Sequence, residues 1–313
     1  MSNREQRTLS VPEGVAGERI DSALTRVLGL SRTAVVKLLE DGDIRTSGKA
    51  MAKSDRVSAN QVIDVLMPAP INQDPIPLTP LEGLSIVYDD DAIVVIDKPV
   101  GCAAHPSPGW MGPTVVGALM AAGYTITTSG PAERAGMVHR LDVGTSGLMV
   151  VAKTDKAYLK LKDMFRNHEI EKTYHALVQG HMDPSEGTID APIDRHPTQD
   201  HRFAVVADGK ESITHYKVIE YYRSVSLVKV ELETGRTHQI RVHFSALNHP
   251  LVGDTTYGAD PVLGKKMKMS RPWLHAAELR FAHPVTGEAL HFQAPYPADL
   301  TRSLALLSDA VLP

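Results

Sequence analysis

The stretch "MVHRLDVGTSGLMVVAKT", residues 137–154, places three ionisable side chains between two apolar flanks. These side chains are His139, Arg140 and Asp142. Residues 148–152 are apolar and β-prone, which predicts a buried strand. Asp142 would then lie just outside the sheet, on a turn loosened by Gly144 and Gly147. A carboxylate presented in this way suits catalysis but can equally cap a loop, so the rest of the chain has to decide.

Composition indicates an ordinary globular protein with room for about two domains. The chain has 313 residues, of which 42% are hydrophobic and 22% charged, and this balance argues against disorder. The N-terminus is polar, and no apolar run approaches the roughly 18 residues that a membrane helix needs. The single cysteine, Cys102, excludes an internal disulfide framework and suits a cytoplasmic protein. Because the net charge is −4, a surface that binds nucleic acid would have to be local.

A proline-rich stretch divides the chain. Residues 67–80 read "MPAPINQDPIPLTP" and contain five prolines, a density that excludes a regular helix and favours an extended linker. We therefore predict a small domain over residues 1–66, a linker over 67–83 and a large domain over 84–313.

The small domain combines helical periodicity with short strands. Helices are predicted from Ile20 onward and over residues 32–40, with Ser31 as the N-cap of the second helix and Gly42 ending it. The remaining residues read as short strands with turns at positions 47–48 and 59–60.

This pattern resembles the S4 RNA-binding domain. The matching segments are Arg19-Ile20-Asp21, Ser31-Arg32 and "GDIRTSGK", residues 42–49. Ser47 stands where the family usually has Asn, and Ala59-Asn60 stands where it usually has Gly-Asp. The resemblance implies a clamp for the phosphate backbone of structured RNA. It makes Arg32, Lys37 and Lys49 candidate RNA contacts, although a solvated charged face explains the same residues.

The large domain reads as α+β with a mostly antiparallel mixed sheet. Strands are predicted around residues 84–99, 171–180, 226–235, 273–284 and 288–297. Helical periodicity occurs over residues 155–168 and 234–249. The first helix places Ala157, Leu161, Met164 and Phe165 on one face, and the second places Ile240, Phe244 and Leu247 on one face. Because strands and helices do not alternate regularly, a doubly wound parallel sheet is disfavoured.

Several kinds of chemistry are disfavoured by spacing. His238 and His243 lie five residues apart, and no typical metal-ligand spacing occurs, so we predict no metal site. Cys102 lies three residues before His105, but its small apolar setting is that of a packed cysteine. The chain also lacks both common glycine-rich phosphate motifs.

A carboxylate, a tyrosine and two arginines remain. Asp142, Tyr174, Arg236 and Arg241 each have a structural explanation as a cap, a packed ring or an ion-pair partner. Together they form a plausible site, because a nucleophilic aspartate must stay ionised and an adjacent arginine favours that form. A tyrosine adds a planar face for a base and a hydroxyl for proton transfer.

The blocks that carry these residues resemble the RluA-type pseudouridine synthases. They are "DKPVGCAAHP" (97–106), "HRLDVGTSGLMVVAKT" (139–154), "EKTYHALVQG" (171–180), "TGRTHQIRVHFSALNHPLVGDTTYG" (234–258) and "LHAAELRFAHPVTGEALHFQAPYP" (274–297). With the S4-like half in front, the chain is most similar to the ribosomal large-subunit synthases of the D type. Val143-Gly144 replaces the commoner charged pair after the aspartate, which predicts a more flexible loop.

The resemblance implies isomerisation of uridine to pseudouridine without a cofactor, with large-subunit ribosomal RNA or its assembly precursor as the substrate. Asp142 is then the catalytic aspartate, acting by attack at the sugar or through a glycal. Tyr174 stacks on the base and serves in proton transfer, and Arg241 is the ion partner of Asp142. Arg236 contributes to that site or to a phosphate contact, and Arg140 fills the space left by a flipped base or holds a phosphate.

Further basic residues and two other functions complete the predictions. The basic string Lys153, Lys156, Lys160, Lys162 and Arg166 is either a second RNA contact or a solvated helix face. Nothing in the sequence demands more than a monomer or suggests a membrane partner. The alternatives to a synthase are a catalytically silent RNA-binding protein and a hydrolase of RNA phosphates. Intact Asp142, Tyr174 and Arg241 disfavour the first, and the absence of a metal-ligand or paired-base spacing disfavours the second.

Overall fold

The computed structural model describes residues 4–28, 30, 32–67, 76–107 and 109–308. The chain divides into two compact units, Met1–Gln73 and Asp74–Pro313, so the boundary falls within the proline-rich stretch. Residues 68–75 of the predicted linker, the predicted N-cap Ser31 and the side chain of Arg32 lie outside the described part of the chain.

The N-terminal unit combines two helices with a four-stranded antiparallel sheet of order β1-β4-β2-β3. Its elements are β1 (Gln6–Ser10), a 3-10 turn (Glu13–Val15), α1 (Ile20–Leu28), α2 (Arg32–Glu40), β2 (Ile44–Thr46), β3 (Lys49–Ala50) and β4 (Val62–Leu66). The predicted apolar face of α2 is confirmed, because Val35, Leu38 and Leu39 are all buried in the core of this unit.

The predicted turns of this unit are confirmed. Gly42 has φ +72° and follows α2, and the N–H groups of Gly42 and Asp43 donate to the last carbonyls of the helix at 3.1 and 2.9 Å. This geometry is a typical helix C-cap, for which a glycine avoids the Cβ clash. Ser47 and Gly48 both have positive φ, as a two-residue hairpin turn between β2 and β3 requires.

The second unit is built on a nine-stranded sheet of order β5-β6-β7-β14-β8-β13-β12-β9, with β15 paired to β14. The strands of this unit are β5 (Ser85–Asp89), β6 (Ile93–Lys98), β7 (Ser146–Ala152), β8 (Glu171–Gln179), β9 (Glu186–Asp190), β10 (Ile193–His196), β11 (Gln199–Val205), β12 (Ile213–Tyr221), β13 (Val225–Leu232), β14 (Leu274–Ala282) and β15 (Ala289–Gln293). Of these, β10 and β11 form a separate two-stranded antiparallel sheet. Its helices are α3 (Val115–Ala121), α4 (Asp155–Arg166), α5 (Gln239–Ala246), α6 (Pro261–Lys266) and α7 (Ala298–Ser308), with 3-10 turns at Ala132–Arg134 and Thr255–Tyr257.

The mixed, mostly antiparallel α+β class is confirmed. Among the described strands of this sheet, only β7 and β14 pair in parallel. The predicted strand at residues 148–152 forms most of β7, whose residues are all buried. Tyr174, Ala176 and Val178 of β8 pack into the largest apolar core, as their alternation predicts. None of the helices in the described part of the chain is long and apolar enough to span a membrane.

Of the two helices predicted for this unit, one is confirmed and the other is shorter than predicted. Helix α4 is confirmed: the Thr154 side chain caps its first turn, and Ala157, Leu161 and Met164 are buried. The second helix is shorter than predicted, because residues 234–238 form a turn before α5 begins. Gln239 fixes this turn by accepting hydrogen bonds from the Arg236 N–H at 2.9 Å and the Thr234 hydroxyl at 2.8 Å. Of the predicted apolar face, Ile240 and Phe244 are buried, whereas Leu247 is 38% exposed at the end of α5.

The prediction that Gly147 loosens a turn is wrong. Gly147 lies inside β7 with φ +114°, and a Cβ there would come within 2.3 Å of the Ala276 carbonyl oxygen in β14. A glycine is therefore required where these two parallel strands approach each other. The contact fixes the start of β7, and with it the turn that carries Asp142.

Candidate active site

A cavity of about 590 Å³ opens beside the turn that carries Asp142. Its lining comes mainly from residues 137–142, the C-terminal half of α4, the start of β8 and residues 232–240. The fold therefore brings together residues from all five of the sequence blocks described above, including His105 from the first and Leu274 from the last.

Hydrogen bonds to backbone carbonyls anchor the Asp142 turn. The Thr145 N–H donates to the Asp142 carbonyl at 3.2 Å, and the Gly101 N–H donates to the Val143 carbonyl at 3.0 Å. The Arg271 guanidinium donates to the Gly144 carbonyl at 3.3 Å. The turn is thus tied at three successive residues, in contrast to the flexible loop expected from Val143-Gly144.

His139 attaches the same segment to the sheet. Its Nε2 accepts a hydrogen bond from the Val150 N–H of β7 at 3.0 Å, and its ring stacks on Phe165 of α4 with centroids 4.7 Å apart. Burial, reinforced by the charge of Lys172, lowers the pKa of His139 to about 3. The imidazole is therefore neutral and acts as a structural group three residues before Asp142.

Arg241, on α5, lies beside the Asp142 carboxylate. One guanidinium nitrogen lies 3.5 Å from an Asp142 carboxylate oxygen, while Nε and the other terminal nitrogen donate to Asp254 at 2.6 and 2.9 Å. The guanidinium also lies over the Tyr257 ring, 4.8 Å from its centre. Burial disfavours the charged guanidinium, but hydrogen bonding and the charge of Asp254, with that of Asp142, outweigh it and raise the Arg241 pKa. Arg241 is thus a fixed cation that does not itself line the cavity.

His238 approaches Asp142 from a second direction. Its Nε2 lies 3.8 Å from the other carboxylate oxygen of Asp142, and its Nδ1 lies 2.8 Å from the Tyr257 hydroxyl. Burial lowers the pKa of His238 although the charge of Asp142 opposes the shift, so a neutral ring is favoured. From the sequence, His238 was considered only as a possible metal ligand, and Asp254 and Tyr257 were not predicted as site residues. All three lie within the block 234–258, but their roles depend on contacts that spacing does not encode.

Tyr174 reaches the cavity from β8 and is 7% exposed. Burial and, to a lesser degree, the charge of Asp142 raise the pKa of its hydroxyl. The phenol is therefore protonated at neutral pH and provides an aromatic face and a hydroxyl hydrogen.

The predicted RNA-binding residues are not all brought together. Arg140 and Arg236 are exposed and line the cavity. Arg236 donates to the Glu211 carbonyl at 3.0 Å and makes no ion pair with Asp142, in contrast to Arg241. Lys37 and Lys49 are exposed on the N-terminal unit.

Comparison with known proteins identifies the family. Residues 92–246 match the family model for RNA pseudouridylate synthase. The chain belongs to this family of RNA isomerases, of the RluA type. It is 53% identical to an uncharacterized RNA pseudouridine synthase of Mycobacterium bovis, over 96% of this chain and 98% of that protein. It is 38% identical to ribosomal large subunit pseudouridine synthase D of Vibrio cholerae, over 100% of this chain and 98% of the relative.

Two solved structures are similar to this fold. Human RNA Pseudouridylate Synthase Domain Containing 1 has a TM-score of 0.57 at 31% identity, with 69% of this chain and 84% of that chain covered. Human RNA Pseudouridylate Synthase Domain Containing 4 has a TM-score of 0.57 at 26% identity, with 72% and 93% covered. The α+β architecture described above is therefore shared with other members of the family.

Proposed function

We propose that this protein converts uridine to pseudouridine in large-subunit ribosomal RNA, with Asp142 as the catalytic carboxylate. The observation that carries the proposal is the setting of Asp142, whose side chain is 17% exposed in the cavity and lies 3.5 Å from the largely buried cation of Arg241. The substrate is supported by the similarity to synthases named for the large ribosomal subunit.

The proposed reaction is a rearrangement within one nucleotide. The N1–C1′ bond breaks with assistance from Asp142, the freed uracil turns over, and C5 bonds to C1′. The hydrogen at C5 leaves as a proton and N1 ends protonated, so no electron and no further atom are needed. On this scheme the reaction requires no cofactor. The neighbouring Arg241 places a positive charge 3.5 Å from the carboxylate that the first step uses.

Access to the cavity requires the target nucleotide to leave its stack, at a cost of a few kcal/mol. Tyr174 offers its ring face to the flipped base. Because burial raises the pKa of its hydroxyl, Tyr174 can accept the C5 proton only by releasing its own proton at the same time. Arg140, exposed at the rim, is suited to hold a phosphate or to fill the vacated stack.

The direct test is tritium release from ribosomal RNA labelled at C5 of uridine, because forming the C5–C1′ bond expels that hydrogen. We expect release by the wild type and none by Asp142→Asn, which keeps the shape of the side chain and should keep RNA binding. Glu133→Gln is a suitable control, since it removes one exposed carboxylate that does not line the cavity. Turnover by Asp142→Asn would refute the nucleophile, and RNA binding without release by the wild type would favour a silent RNA-binding protein.

We also propose that the N-terminal unit, residues 1–66, is an S4-like domain that binds structured RNA. The support is its basic, exposed Lys37 and Lys49, together with the motif resemblance. Phosphate contacts of this kind position an RNA without specifying its sequence.

A further inference from the structure

One wall of the cavity is formed by a continuous segment that runs from the end of α4 into β8. We call it the α4–β8 wall and define it by its cavity-lining residues Lys162, Phe165, Arg166, His168 and Lys172. Three of these five side chains are cations, and none is a carboxylate.

The structure separates the basic string of α4 into two groups. Lys162 and Arg166, four residues apart, line the cavity. Lys156 and Lys160 are exposed on the same helix but do not line it, and Lys153 forms an ion pair with a carboxylate of β5. If the whole basic string were only a solvated helix face, there would be no reason for two of its cations to lie at the edge of the cavity.

Arg166 is available to a ligand. Its ion pair with Asp163 joins two exposed side chains, 65% and 54% accessible. Exposed pairs of this kind contribute about 0–1 kcal/mol, so a phosphate can replace the carboxylate at little cost. Side chains four residues apart on a helix have Cβ atoms about 5–6 Å apart, which allows Lys162 and Arg166 to contact successive phosphates.

Lys172 is the inner cation of the wall. It lies two residues before Tyr174 on β8, so the two side chains share one face of the strand. Its ammonium lies 5.7 Å from the centre of the Phe165 ring, and it forms no ion pair with a carboxylate of the described residues. Burial lowers its pKa to about 8. A partly desolvated cation without a counter-ion is stabilised when an anion arrives beside it.

The charge of the whole cavity points to the same kind of ligand. Its lining carries six arginine or lysine side chains against two carboxylates, although the chain as a whole has a net charge of −4. Such an excess of cations over carboxylates around a site attracts a polyanion.

We propose that the α4–β8 wall binds the sugar-phosphate backbone of the RNA strand beside the target uridine. Lys172 binds the phosphate closest to the reacting nucleotide, and Lys162 and Arg166 bind phosphates further out. This inference rests on the proposed function, since it takes the nucleotide in the cavity to be a flipped uridine.

The test compares charge-removing variants of the full-length protein. The wall variants are Lys162→Gln/Arg166→Gln and Lys172→Gln, and the matched control is Lys156→Gln/Lys160→Gln on the same helix. Dissociation constants for transcribed large-subunit ribosomal RNA are measured between 50 and 200 mM salt, and thermal unfolding verifies that each variant is folded.

We expect each lost phosphate contact to reduce the slope of log affinity against log salt by about 0.7–0.9. The Lys162/Arg166 double variant should therefore lose about 1.5 units of slope and the control should lose none. KM should rise in the wall variants while kcat at saturating RNA changes little, and Lys172→Arg should restore the binding that Lys172→Gln loses.

Wall variants whose salt slopes match that of the control would overturn the inference. That result leaves the proposed function intact if the wild type still releases tritium from the labelled RNA. Reduced slopes in the wall variants, with no release by the wild type, would instead support an RNA-binding wall and refute the proposed chemistry.

Discussion

Replacement of Asp254 by asparagine tests whether the active site depends on the hydrogen bonds that hold Arg241 in position. Asp254 is 1% exposed and accepts two hydrogen bonds from Arg241, at 2.6 and 2.9 Å. The third contact of the guanidinium is with Asp142 at 3.5 Å. Asparagine has nearly the same shape, but it loses the charge and directs an N–H₂ group at the guanidinium, which is itself a donor.

The expected losses follow from this geometry. Removing one partner of a buried ion pair costs about 3–5 kcal/mol of stability, and we expect Asp254→Asn to fall near the lower end because one acceptor oxygen remains. Arg241 would then turn away from its position behind Asp142. A displacement of about 1 Å in an active site lowers the rate about 100-fold, which corresponds to about 2.7 kcal/mol in the activation free energy.

The assay is kcat for tritium release at saturating RNA, with the free energy of unfolding measured in urea. Asp21→Asn is the control, because Asp21 of the N-terminal unit is also buried and accepts two hydrogen bonds from an arginine, Arg19, at 3.1 and 3.3 Å, and it does not line the cavity. Both variants should be less stable, but only Asp254→Asn should lose most of its kcat. Equal losses of kcat in the two variants, or a change in KM alone, would refute a positioning role for Asp254.

Three further predictions concern stability and the N-terminal unit. Burial holds the pKa of His139 at about 3 and that of His275 at about 4. Because the unfolded chain takes up these protons first, the free energy of unfolding should fall as pH drops from about 6.5 to 4. A free energy of unfolding that stays constant over this range in urea titrations would contradict this. Gly147→Ala should lower the melting temperature by several degrees, because a Cβ would lie 2.3 Å from a backbone oxygen. An unchanged transition in calorimetry would show instead that β7 and β14 can move apart to accommodate the methyl group. Lys37→Gln/Lys49→Gln should reduce the salt slope of RNA affinity by about 1.5 without changing kcat, and an unchanged slope would indicate another role for this unit.

Much of the fold was predictable because the buried faces of helices and strands produce a periodic pattern of apolar residues in the sequence. The apolar residues 148–152 and the repeating face of α4 identify elements that pack on a core, whatever their neighbours are. The turn at residues 234–238 was not predictable, because helical spacing continues through it while Gln239 binds its backbone groups. Gly147 was misplaced for a related reason, since only the approach of β14 requires a glycine within β7.

The candidate site was predictable only where a residue type already suggests chemistry. Asp142, Tyr174 and Arg241 lie in separate blocks, and the structure brings Arg241 and Asp142 within 3.5 Å. Arg236 was predicted as a second contributor to that site or to a phosphate contact, and its guanidinium donates to a backbone carbonyl. Asp254 determines that Arg241 is the arginine beside Asp142. The pairing of Asp254 with Arg241 depends on tertiary packing and cannot be read from sequence spacing.

The arrangement around Arg241 explains how Asp142 can lie beside a cation and still be free to react. A two-bond pair between Arg241 and Asp142 would occupy both carboxylate oxygens and oppose attack on a sugar carbon. Instead, two guanidinium nitrogens bind Asp254, and the third lies 3.5 Å from Asp142. At that distance the cation attracts the carboxylate, while neither oxygen is held in a short hydrogen bond from Arg241. The buried Asp254 thus sets the orientation of the cation, and the cation places a positive charge beside the proposed nucleophile.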